Sequence, residues 1–142
     1  MMRIMSRRSR KGTNIVEFAM TLPMFILVMF ALVDFGWYFG GMSILDAAVT
    51  EGCRAASLVD PLLGDPEFTA ETIMTDFLEA MPIVECGDGC VIDATIVGEI
   101  PAKSIQCTIV NESQPILGWV ALPTHQATSA LMRFEWQREQ EF

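Results

Sequence analysis

Positive charge is scarce in this chain: nine Lys and Arg stand against eighteen Asp and Glu, for a net charge of −9. Five of the nine, Arg3, Arg7, Arg8, Arg10 and Lys11, lie before residue 13, while every acid lies at or beyond Glu17. Residues 13–142 therefore carry four basic and eighteen acidic groups, a net of −14. So acidic a body is repelled by nucleic-acid phosphates, which excludes nucleic acid as a partner. Histidine is nearly absent, and His125, in an expected loop, has no nucleophile motif around it. There is no Walker loop and no dinucleotide-type glycine run. The four cysteines lack the paired short spacings of a structural zinc site or a thioredoxin-like motif. Asp88, between Gly87 and Gly89, reads as turn chemistry, and Asn111-Glu112-Ser113 as a fortuitous sequon. The expectation is a non-enzymatic protein with no cofactor, metal or small-molecule substrate, and no internal repeat.

What is present is apolar. Of the 142 residues, 51% are hydrophobic and 19% charged, with a mean hydropathy of +0.38. Between Ile15 and Leu45 only Glu17 and Asp34 are charged, and residues 18–33 form an uninterrupted apolar run. At about 1.5 Å per residue that run covers roughly 24 Å, and its flanks extend it to a hydrocarbon core of about 30 Å. The basic cluster before it predicts a cytoplasmic N-terminus and an outward-facing body. No small-residue cleavage site follows the run. Phe35, Trp37, Tyr38 and Phe39 read instead as an interfacial aromatic belt. Pro23 predicts a kink. Asp34, about 26 Å beyond Glu17 along a straight helix, is expected to be solvated at the far interface. Glu17 is the anomaly, since a carboxylate at the start of a membrane segment needs a partner or a polar boundary.

The tract Arg10-Lys11-Gly12-Thr13-Asn14-Ile15-Val16-Glu17-Phe18 resembles the processing site of type IV pilins and pseudopilins, where a prepilin peptidase cuts after the glycine. Residues 7–56, with Val16-Glu17-Phe18-Ala19, Leu22-Pro23, Leu32 to Gly36, Ala47-Ala48 and Glu51-Gly52-Cys53-Arg54, resemble TadE-like pseudopilins of tight-adherence (Flp-type) pilus systems. Ser129 to Glu135 resembles their C-terminal signature, and Cys53 stands where that family usually has a small residue. The resemblance implies cleavage between Gly12 and Thr13, with Phe18 part of the peptidase's recognition motif. It also implies that Glu17 pairs with the N-terminal amine of a neighbouring subunit. The freed amine of Thr13 would in any case lie one helical turn from Glu17. The partners implied are inner-membrane lipid, the peptidase, other pilins or pseudopilins and the assembly platform of a bacterial inner membrane, with the head periplasmic or later in a pilus. The rival reading is a single-pass, signal-anchored envelope protein whose head binds a partner.

Beyond the apolar run, Ile44, Leu45, Ala48, Val49, Gly52, Ala55, Ala56 and Val59 keep helical spacing. One long helix over about 14–59 is predicted, membrane-spanning to about 44, and broken by Pro61, Gly64 and Pro66. Asp65-Pro66 reads as a helix start. Phe68, Ile73, Met74, Phe77, Leu78 and Met81 then predict a second helix over 67–81 with a core-facing stripe, ended by Pro82. Residues 91–97 and 104–110 read as an antiparallel hairpin, and 127–136 as a third strand. The fold expected is α+β and pilin-like: leader 1–12, helix 13–59, and a head over 60–142 in which a small antiparallel sheet packs on the emergent helix. An outward-facing head permits disulfides, so at least one bridge is expected among Cys86, Cys90 and Cys107. The remaining thiol either meets Cys53 or stays buried, and spacing does not choose the connectivity.

Overall fold

The computed structural model describes residues 11–60, 63–81, 83–84, 86–87, 89–99, 102–113 and 115–135. The basic residues before Lys11, with Pro61, Pro82, Asp88 and Trp136, lie outside the described residues. Five elements follow in order: α1 (Lys11–Ser57), α2 (Pro66–Glu79), β1 (Val91–Val97), β2 (Ser104–Glu112) and β3 (His125–Arg133).

α1 is one helix of 47 residues that runs through Pro23 without a break in its assignment. At 1.5 Å per residue it is about 70 Å long, far longer than the head it serves. Its first half mixes the good helix formers Leu, Met and Ala with as many Ile, Val and Phe residues, and its second half is held by packing. Asp34, Gly41, Leu45, Ala48, Val49, Gly52, Cys53 and Ala56 are all buried. Steps of three and four residues put them on one stripe.

α2 starts as its sequence dictates. Asp65 is the N-cap, its carboxylate accepting from the Glu67 and Phe68 backbone N–H groups, and Pro66 takes the first helical position where a missing N–H costs nothing. Ala70, Met74 and Leu78, four residues apart, form the buried stripe. Phe68, expected in the core, is 67% exposed. It lies two residues, about 200°, off that stripe.

The sheet has the order β1-β2-β3, antiparallel throughout. Ile105, Cys107, Ile109 and Asn111 alternate inward along β2, facing α1. On β3 the pairing starts earlier than residue 127, because Glu112 pairs with His125 and Asn111 with Gln126. His125 is thus a strand residue, not a loop residue. At the other edge the Glu67 carboxylate accepts the Ile96 N–H at 2.9 Å, which ties α2 to β1. The core is a single layer of side chains between the helices and the sheet, centred on Leu45, Val49, Met74, Leu78, Ile105 and Ile109. Gly52 fixes the helix contact: a Cβ there would sit 2.4 Å from Met74 Cγ and 3.1 Å from the Ala70 carbonyl oxygen, so the two helices approach this closely only over glycine.

Candidate functional site

Two parts of α1 carry the candidate chemistry. The first is its beginning. Lys11, Gly12 and Thr13 form the first helical turn. Glu17 follows one turn later, exposed, with no side-chain partner among the described residues. Thr21 Oγ1 donates back to the Glu17 and Phe18 carbonyls at 3.2 and 3.1 Å, which satisfies the hydroxyl without leaving the helix. Phe18 and Met20 are 64% and 76% exposed, and the run to Val33 presents apolar side chains on every side of the helix. A monomer in water rarely carries so long an uncovered apolar surface. The stretch from Asn14 has the length and composition to cross a membrane.

The second part is the collar at Asp34. This carboxylate is fully buried, not solvated as its interfacial position predicts. The connection between β2 and β3 folds down along α1 and turns two backbone N–H groups onto it: Leu117 N donates to Oδ1 at 3.0 Å and Trp119 N to Oδ2 at 3.3 Å. Gly118, between the two donors, has φ +66°, a left-handed conformation that a residue without Cβ adopts freely and that lets alternate N–H groups converge on one anion. One turn earlier on α1, the Phe30 ring meets the Trp119 indole edge-on, centroids 5.4 Å apart. One turn later, Gln126 Nε2 donates to the Tyr38 carbonyl at 3.2 Å, and its side chain lies against Gly41. Asp34, Tyr38 and Gly41 continue the stripe of Leu45, Ala48 and Gly52 with heptad spacing. That periodicity is the sequence signal for the collar.

Cys53 pairs with Cys107 (Cα–Cα 5.8 Å), joining α1 to the central strand, and Cys86 pairs with Cys90 (5.1 Å) in the loop before β1. Asp46 accepts from Thr128 Oγ1, a further tie between α1 and β3. On the exposed face, Arg54 donates to both Glu51 oxygens at 3.1 and 2.7 Å. That hydrogen bond holds the Glu51 carboxyl below its ordinary range.

A cleft of about 570 Å³ opens beside the collar between Trp37, Gly41, Val84, Asn111, Glu112 and Gln126. Glu112 is the one ionisable group among its described lining residues, 3.6 Å from His125 Nδ1 at the exposed end of the sheet. Among the described residues no three His, Cys, Asp or Glu side chains gather in a way that could hold a metal ion. What the arrangement can do is hold one half of a long helix rigidly and present the other half bare.

Comparison with curated proteins and with solved structures gives no match. A family model does match, and it covers the first turn of α1, the bare apolar half, the collar and the start of the core stripe: residues 12–54 match the model described as TadE-like protein.

Proposed function

We propose that this chain is a minor pilin or pseudopilin of a tight-adherence pilus, held in the bacterial inner membrane by the first half of α1 and matured by a prepilin peptidase between Gly12 and Thr13. The supporting observation is the bare stretch of α1: an apolar helix of membrane-spanning length, TadE-like in sequence, opening on Gly12 and Thr13, with Glu17 one turn beyond and without a side-chain partner among the described residues. Cleavage would place a new α-amine, whose reference pKa is about 7.7–8.0, four residues from that carboxylate. Glu17 then serves subunit pairing: in a filament core or bilayer an unpaired carboxylate is costly, and the amine of a neighbouring subunit offsets that cost. Phe18 belongs to the peptidase's recognition segment. The basic residues ahead of Gly12 keep the N-terminus cytoplasmic and the head periplasmic. The role is structural rather than catalytic, in the initiation or capping of the pilus that serves adhesion or secretion. Its partners are the peptidase, other pilins and the assembly platform.

Substituting Gly12→Phe in the native host tests this reading. The expected result is a full-length chain that accumulates in the membrane with pilus assembly lost. An unchanged chain size and unchanged piliation would instead support a signal-anchored envelope protein whose head binds a partner.

A further inference from the structure

Residues 115–123, the middle of the connection 113–124 between β2 and β3, contain no charged, hydroxyl or amide side chain. Connections between strands at a protein surface are normally polar and water-facing. This one exposes Ile116 by 52% and Trp119 by 61%, and Leu117 is also open to its surroundings. It does not stand out from the head at random. Asp34 grips it through the Leu117 and Trp119 N–H groups, and Phe30 holds the Trp119 ring. Its base is closed by Ser113 N donating to the Thr124 carbonyl at 2.8 Å. The loop therefore lies beside the last turns of the apolar run of α1 and continues its apolar surface sideways.

We infer that this loop is a second membrane-contacting element, seated in the headgroup and upper acyl region of the leaflet on the head side. The inference rests on the reading of α1 as the spanning helix. A hydrocarbon core of about 30 Å takes about twenty helical residues. Counted from Ile15 or from Phe18, it ends within a turn of Asp34 or Tyr38, so Asp34 lies at the lipid boundary. A carboxylate there is tolerated only when its hydrogen bonds are supplied from the protein, and the loop supplies two from its own backbone. This also consumes two donors that would otherwise face lipid. Trp119, with an apolar ring and a polar N–H, is of the type that settles at this depth. The lipid surface is a better occupant than another protein chain, because the exposed side chains lie level with the last turns of the apolar run, whose faces away from the loop, at Leu32, Val33 and Phe35, are bare as well.

The full chain is reconstituted in phosphatidylcholine vesicles whose acyl chains carry bromine either near the headgroup or deep in the core, and tryptophan emission is read. A variant with W37F and W136F leaves Trp119 as the reporter. A second, with L27W, W37F, W119F and W136F, reports the middle of the apolar run. The expected result is loss of Trp119 emission chiefly with shallow bromine, and loss of emission at residue 27 chiefly with deep bromine. If residue 27 is quenched by deep bromine while Trp119 responds to neither lipid and is quenched by aqueous iodide, the loop inference is overturned and the spanning helix stands. An unquenched residue 27 overturns the spanning reading, and the loop inference with it. Adding D34A to the Trp119 reporter should raise its quenching by iodide, as the grip on the loop is lost. No change on that substitution would overturn the role given to Asp34.

Discussion

The two halves of α1 are one helix with opposite surroundings. Residues 14–33 are open on almost every side, whereas from Asp34 onward one face is covered by the head, half-buried at Tyr38 and buried at Gly41, Leu45, Ala48 and Gly52. The intrinsic helix preference of the two halves is similar, so propensity does not set the difference. It is set by side-chain size and by what lies alongside. Bulky Phe, Met, Leu and Ile point in all directions in the first half and leave no surface on which a second element of this protein could seat. In the second half Gly41, Ala48, Gly52 and Ala56 cut a narrow channel into which Gln126 and Met74 fit. The change falls at a charged residue, Asp34, whose partners come from the sheet connection.

The largest expected effect lies in the second half. The Cys53–Cys107 bridge spans 54 residues of sequence, and loop-closure entropy assigns a loop of that length about 4 kcal/mol. Replacing both cysteines with alanine should lower the melting temperature of the head in detergent by well over ten degrees under oxidising conditions. A shift of a degree or two would mean that packing along the stripe suffices without the bridge.

Next comes the first half, where a substitution should separate membrane insertion from head stability. Phe25→Arg puts a cation near the middle of the apolar run, at a cost to insertion of about 2.5–3.5 kcal/mol. It should reduce the membrane-bound fraction in cells and leave the melting of the head in detergent unchanged. A head that melts earlier would show that the halves are coupled.

At the boundary between them, Asp34→Ala removes the charged acceptor of two N–H groups, which should destabilise the collar by about 2–3 kcal/mol. Hydrogen exchange should show faster exchange at Leu117 and Trp119 and little change in β1. The smallest effect belongs to the exposed Glu51–Arg54 pair. Arg54 holds the Glu51 carboxyl below its ordinary range, so its contribution is complete above the unfolded value of about 4.3 and vanishes as pH falls through the lower folded value. Glu51→Gln should leave melting unchanged at neutral pH, because solvent screens an exposed pair.

Much of this was legible from residue spacing. The apolar run, the Asp65-Pro66 helix start and the three strands follow from periodicity and turn chemistry, and strand ends moved by only two or three residues. The burial of Asp34 was concealed for a different reason. Residues 34, 38, 41, 45, 48 and 52 do share the stripe, but whether a carboxylate on that stripe meets water or protein depends on where a connection eighty residues later comes to rest. Spacing alone does not separate Phe68 from the core, because apolar residues cover more than one face of α2 and only the packed stripe of Ala70, Met74 and Leu78 selects between them. Nothing apolar marks the start of β3: its first pairs, Glu112 with His125 and Asn111 with Gln126, are polar, and Gln126 is drawn inward by the Tyr38 carbonyl rather than by apolar burial. The cysteine pairing depends on the height at which α1 crosses β2, a tertiary quantity that spacing does not contain.

The most direct test of the account is the N-terminal sequence and intact mass of the protein isolated from membranes of its native host. A mature chain beginning at Thr13, lighter than the full chain by residues 1–12, is the predicted result, and it makes Glu17 the next residue to substitute. A chain that still begins at Met1 or Met2 would contradict the proposed processing, and with it the pairing role assigned to Glu17.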